Sequence, residues 1–316
     1  MKKVVVIGGG TGVFTVLSAL KRYPYELAAI VTMADDGGST GILREEFGIL
    51  PPGDIRRALI ALSSSDNKIL SELFNFRFGT NSSLRGHSLG NLLLTALEKI
   101  TGSLNEALKE AAKILNVKGE VIPVTLSKTK LHAELENGII IEGESNIDIP
   151  KHDPRLKIKK VYLDPQVPAN PDATRAILEA DFVILGPGDL YTSIIPNLLV
   201  RGIVRGLRKT SAKIIYITNI MTKYGETNGF RARDFVRVTE KYLGRGVIDY
   251  CVVNIEKMTG AVLERYKREN VDYVEYDRKN FNSDFKTITG RFLRKGQFLR
   301  HDRRKLGLAL TKTIGD

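Results

Sequence analysis

The chain has 316 residues and a single cysteine, Cys251. An internal disulfide is therefore excluded, as is a multi-cysteine metal centre. No apolar run reaches the roughly 18 residues of a membrane-spanning helix. The opening "MKKVVVIGGG" has two lysines and only four apolar residues before its glycines, too few for the core of a secretory leader. Helix-turn-helix, RNP and zinc-finger patterns are lacking, so specific nucleic-acid recognition is not expected. Low-complexity linkers and internal repeats are lacking too. The expectation is a cytoplasmic protein with no membrane span and one elaborated domain over 1–316. Homo-oligomerisation stays open.

What is present is an apolar content of 42% and a net charge of +12. The first suffices for a proper core. Part of the second lies in "GRFLRKGQFLRHDRRKLG", with seven Lys or Arg from Arg291 to Lys305. Such a run reads first as a solvated basic face and second as a preference for anionic small molecules.

Short β-branched runs ending in turn residues alternate with helical spacing. "KKVVVIGGGTG" precedes "VFTVLSALKRY"; "ELAAIVTMADDGG" repeats the theme; "ADFVILGPGD", "SAKIIYITNI" and "GVIDYCVVNI" follow. Near-continuous apolar strands between helices predict a doubly wound, Rossmann-like α/β fold, its mostly parallel sheet covered on both faces. Asn137-Gly138 in "LHAELENGIIIEGE" signals a type I′ hairpin, and residues 121–164 read as a β-hairpin excursion from the α/β body.

In such sheets ligands collect where strands end, so the loops there are the candidate site. In the first, Gly9, Gly10, Thr11 and Gly12 let backbone approach a phosphate at a helix start. The P-loop lysine is missing, and Val13 stands where a dinucleotide fingerprint has its third glycine. In the second, Asp35 and Asp36 precede Gly37, Gly38 and Ser39. Either aspartate could accept from sugar hydroxyls or bind Mg²⁺. Asp54 reads as the N-cap of a helix beginning at Ile55, with Arg56 and Arg57 in its first turn, where a nearby anion would justify them.

Gly86-His87-Ser88-Leu89-Gly90 matches the G-x-S-x-G nucleophile elbow. The residues before it form a polar loop rather than an apolar strand, so Ser88 reads better as a helix N-cap. His87, Ser88 and Asn91 would then gather at a helix start. Gly186, Gly188, Asp189, Thr192 and Ser193 end another strand; Asn219, Thr222 and Glu226 follow the next. Each loop alone also reads as an ordinary polar turn.

Taken in order, "GGGTG", "TMADDGGSTG", "GILPPGDIRRAL", "FRF", "GHSLGNLLL", "GPGDLYTSIIPNLLV" and "NIMTKYGETNGF" resemble the CofD-like family, most closely its gluconeogenesis-factor (YvcK) branch. The resemblance implies a Rossmann-like fold and a nucleotide-diphosphate ligand, with Gly9–Gly12 and Asp35–Ser39 in the site. The loops at His87–Asn91, Gly186–Ser193 and Asn219–Thr222 would complete it. It further implies a UDP-N-acetylglucosamine-binding regulator linked to carbon metabolism and cell shape. The alternative is a Mg²⁺-dependent 2-phospho-L-lactate transferase-like enzyme using a GDP-linked donor, with Asp35 or Asp36 as base or metal ligand. Arg56 and His87 would then steady the diphosphate. An NAD-binding oxidoreductase is a second alternative.

Overall fold

The computed structural model describes residues 1–64, 68–79, 83–257, 260–281, 284–294, 296 and 298–315. Lys295 of the basic run lies outside them.

Ten strands matter for the site: β1 (Lys2–Gly8), β2 (Tyr25–Val31), β3 (Glu120–Pro123), β4 (Lys130–Leu135), β5 (Ile140–Glu142), β6 (Ile158–Asp164), β7 (Phe182–Leu185), β8 (Lys213–Ile217), β9 (Tyr250–Asn254) and β10 (Lys286–Gly290). Seven of them form one sheet in the order β10-β9-β8-β7-β1-β2-β3. Every pairing in it is parallel. Val4 to Ile7 of β1 are almost wholly buried, as a strand covered on both faces requires.

Helices flank the sheet on both sides. Helix α1 (Gly10–Leu20) buries Val13, Val16, Leu17 and Leu20, one stripe at helical spacing. It packs against α3 (Pro52–Leu62) and the C-terminal helix Arg303–Gly315. Between α1 and α3 lies α2 (Gly38–Phe47); α4 (Lys68–Asn75), α5 (Leu89–Thr101) and α6 (Leu104–Ile114) follow α3. The helix Pro171–Glu179 and the helix Ile203–Lys209 pack together, and the former also contacts β1 and β3. The architecture is Rossmann-like and doubly wound. The chain winds outward from β1 to β3, then returns to pair β7 with the other edge of β1. The switch point is the crevice between the carboxyl ends of β1 and β7.

Strand β3 is the edge of the main sheet. After it, β5-β4-β6 form a separate antiparallel sheet, followed within the β5–β6 connection by the short α7 (Glu144–Asp148). Leu131, Ala133 and Leu135 of β4 turn one face to the core. The β4–β5 turn differs from the type I′ expectation. Gly138 has φ +86°, whereas Asn137 is not among the residues of positive φ. The Gly138 N–H donates to Leu135 O at 3.0 Å and the Leu135 N–H to Ile139 O at 2.8 Å. The loop is one residue longer than a two-residue turn, so only the glycine has to be left-handed. The segment around Pro196 forms two short helices, Ile195–Leu199 and Ile203–Lys209, the second opening after Gly202 at φ +107°.

Candidate functional site

A cavity of about 570 Å³ opens at the switch point. Its walls come from the loops after β1, β2, β7 and β8, from α3 and α5, and from α7 of the antiparallel unit.

The loop after β1 turns through Gly10, φ +61°, directly into α1. A Cβ on Gly12 would lie 1.7 Å from Pro187 O. The loops after β1 and β7 therefore touch through backbone, which only glycine permits. One first-turn amide of α1, that of Gly10, is already engaged. Gly10 N–H donates to Asp54 Oδ1 at 2.9 Å.

Asp54 is not the N-cap expected of it. Pro52 already begins α3, with Pro51 as the capping residue, since proline suits a first helical position. Arg56 and Arg57 thus fall in the second turn, beyond the strongest reach of the helix dipole. Burial pushes the Asp54 carboxyl up to about 6, and neighbouring Asp35 pushes the same way against Arg57.

The two adjacent aspartates have separate fates. Asp35 lines the cavity and accepts the Gly37 N–H at 2.9 Å, a local turn opening α2. Burial raises its carboxyl too. Asp36 turns away from the lining. Its carboxylate accepts the N–H groups of Glu144 and Ser145, at 3.2 and 2.9 Å. A Cβ on Gly143, φ +88°, would stand 2.7 Å from Asp36 Oδ2. Asp36 therefore holds α7 in place over the cavity.

One end of the cavity is basic. Arg56, Arg57 and Arg77 line it. Arg56 is buried, and its Nε donates to Asn91 Oδ1 at 2.9 Å. Its Nη1 donates to Asn75 Oδ1 at 2.9 Å and Phe74 O at 3.3 Å. Burial brings its guanidinium down to about 10, with Arg57 and Arg77 adding to the effect.

The other end is acidic. Burial raises Glu144 to about 9, and Asp35, Asp148, Asp36 and Glu226 add to it. Asp148, Asp189 and Glu226 bring ligand oxygens within 4.8 Å of one another. This all-oxygen set could coordinate a divalent ion such as Mg²⁺; Asp35 and Asp36 are not part of it. Burial raises both Asp189 and Glu226. Lys223 stands among them. Burial alone would lower its ammonium, yet Asp189, Glu226 and Asp148 hold it above the usual lysine range.

Of the residues singled out from sequence, Gly9 to Gly12, Asp35, Gly37 to Ser39, Arg56, Asn91, Gly188, Asp189, Thr192 and Ser193 all meet at this cavity. Asp36, His87, Ser88, Gly186, Asn219 and Thr222 do not line it. Ser88 caps α5, accepting the Asn91 N–H at 3.2 Å, and is fully buried. Its hydroxyl is not presented as an elbow nucleophile would be. His87 is buried with Nδ1 unpartnered. Gly186 packs under Ile217 O. Asn219 Oδ1 lies 3.5 Å from the Gly188 N, and Thr222 is tied to Asp272 by two bonds of 2.8 Å. Sequence reasoning missed Asp148, Glu144 and Lys223. The first two ride on a helix of five residues, too short for a periodic signal. Lys223 sits in a loop that was marked, without being singled out in it.

Comparisons with known proteins place these features in a wider set. The family profile described as 2-phospho-L-lactate transferase CofD matches residues 4–293. The gluconeogenesis factor of Bacillus subtilis is 42% identical over 315 residues, covering 99% of this chain and 98% of its own length. That of Halalkalibacterium halodurans is 42% identical over 313 residues, covering 98% and 95%. A crystal structure of a UPF0052-family protein from Bacillus halodurans superimposes with a TM-score of 0.92 at 40% identity, covering 100% of both chains.

Proposed function

Since the chain belongs to the CofD family, in the branch of the gluconeogenesis factors, we propose that it binds a nucleotide diphosphate sugar of the UDP-N-acetylglucosamine type at the switch-point cavity and senses it. The observation that carries this reading is Arg56. Among the described residues its buried guanidinium donates only to neutral acceptors, so its charge lines the cavity with no contacting carboxylate among them. Such a charge in a desolvated place suits a diphosphate. The acidic end, with Asp35 and Asp189, suits sugar hydroxyls. A volume of about 570 Å³ falls within the range of small-ligand pockets. Sensing is favoured because Asp36, one of the two acids expected to do chemistry, is engaged by α7. A cytoplasmic role linked to carbon metabolism and cell shape is the biological setting of this proposal.

Titration calorimetry with UDP-N-acetylglucosamine, GDP and NAD, each with and without Mg²⁺, tests it. The expected result is saturable binding strongest for the UDP-sugar. Failure of every uridine and guanosine diphosphate to bind would overturn it.

A second reading is transfer chemistry of the phospholactyl type. Asp54, at about 6 beside Asp35, is tuned as a general base near neutrality. In this reading Asp148, Asp189 and Glu226 would hold Mg²⁺, which when bound would supply charge neutralisation for a diphosphate leaving group. Turnover of a GDP-linked phospholactyl donor with a deazaflavin alcohol would replace sensing by catalysis. The NAD reading is weakened by Asp54, whose carboxylate sits on the Gly10 amide where a pyrophosphate would be cradled.

A further inference from the structure

Three carboxylates from distant parts of the chain meet at the acidic end of the cavity. Asp148 ends α7, Asp189 follows β7, and Glu226 follows β8. The ammonium of Lys223 enters the same place. Its Nζ is 2.7 Å from Asp148 Oδ1 and 3.7 Å from Asp189 Oδ2.

Neither the lysine nor the glutamate is a loose arm. Lys223 N–H donates to Thr227 Oγ1 at 2.8 Å, while the N–H groups of Glu226 and Thr227 return to Lys223 O at 3.1 and 2.8 Å. Ammonium and carboxylate thus project from a single closed turn. Glu226, only 4% exposed, is fixed in turn. It accepts the Tyr191 N–H and the Thr192 hydroxyl, both at 3.2 Å.

We infer that Lys223 is the resident cation of the Asp148–Asp189–Glu226 cluster and excludes a divalent ion from it. A Mg²⁺ ion bound to Asp148 would stand about 2.1 Å from its oxygen. That oxygen is already 2.7 Å from Nζ. An ammonium and a dication so close, in a partly desolvated place, repel strongly, and they compete for the same lone pairs. The ammonium neutralises the cluster without demanding octahedral geometry. It also ties α7 to the loop after β8, so cation and strap are one group. Ligand binding in the cavity then needs no divalent ion at this cluster.

The meaning of this inference rests on the cavity being the ligand site, but its test contains no nucleotide, so the two fail separately. Mn²⁺ binding to the full chain is followed by electron paramagnetic resonance and calorimetry, for the wild type and for Lys223→Met, Lys223→Arg, Asp189→Asn and Lys223→Met/Asp189→Asn. Lys223→Met is expected to gain one saturable Mn²⁺ site, at least about tenfold tighter than any in the wild type. Lys223→Arg should gain none, and the double variant should lose the gain. Tight wild-type binding that Asp189→Asn abolishes would overturn the inference. So would a folded Lys223→Met protein, with a cooperative thermal transition, that binds Mn²⁺ no better than wild type. If Lys223→Met does not fold, the wild-type and Asp189→Asn titrations still decide.

Discussion

The loops after β1 and β2 are built alike and finished differently. Both run from a buried parallel strand through glycines into a helix, and in both a carboxylate accepts an amide at 2.9 Å. After β2 that carboxylate is local: Asp35 closes a turn on Gly37, two residues on. After β1 it comes from α3, as Asp54 reaches Gly10 across 44 positions. A locally finished loop can be read from its own residues. A remotely finished one carries its chemistry elsewhere in the chain, and its glycines look freer for a phosphate than they are.

The comparison breaks first at Gly12. Gly12→Ala would place a Cβ 1.7 Å from Pro187 O, which backbone cannot absorb locally. Destabilisation at or above about 3 kcal/mol is expected, the upper end for overpacking, with loss of nucleotide binding. Denaturant unfolding measures it; a variant as stable as wild type would mean that the loops after β1 and β7 do not meet as described.

Next in size is Arg56→Met. Nucleotide diphosphate affinity should fall about 10- to 100-fold, the worth of a charge-assisted hydrogen bond. The corresponding nucleoside should bind unchanged. Calorimetry with both ligands separates loss of an anion contact from general damage.

Asp54→Asn sharpens the remote cap, because an amide oxygen can still accept from Gly10 while the charge is gone. Burial pushes the folded carboxyl up to about 6, above the ordinary aspartate value of 3.8. The native state therefore binds more protons than the unfolded state between these values, and wild-type stability falls as pH rises through that window. Asp54→Asn should flatten that part of a plot of Tm against pH and tighten diphosphate binding above pH 6. An unchanged pH slope would show that Asp54 does not titrate there.

The smallest effect separates Asp35 from its neighbour. Asp36→Asn removes one of two acceptors from α7, so amide exchange at 144–148 should quicken several-fold; Asp35→Asn should leave it unaltered. Hydrogen exchange with mass spectrometry reads both.

The fold was legible because its signals are local. Val4 to Ile7, Phe182 to Leu185 and Ile214 to Ile217 are buried strands whose apolar runs and terminal turns stand next to each other in the chain. Ser88 as an N-cap was legible for the same reason. The wall built by α7 was not. Its five residues give no period, and Asp148 belongs to the cavity only because Asp36 grips one end of α7 and Lys223 the other. Nothing near residue 148 records either contact. Arg57 and Asp54 were visible as charges, but their direction depended on where α3 begins.

The pairing of β1 has a bearing on assembly as the chain is made. One edge of β1 finds β2 within a few tens of residues, whereas its other edge waits for β7, which begins at Phe182. Such a late partner raises contact order and slows the final closure. On a nascent chain the half-sheet β1-β2-β3 therefore presents an unsatisfied inner edge, apolar on both faces and open to wrong partners. The strand that ends this exposure also delivers Pro187 to Gly12. Maturation of the binding crevice and protection of the sheet are one kinetic event, and chains arrested before residue 182 should be the aggregation-prone species.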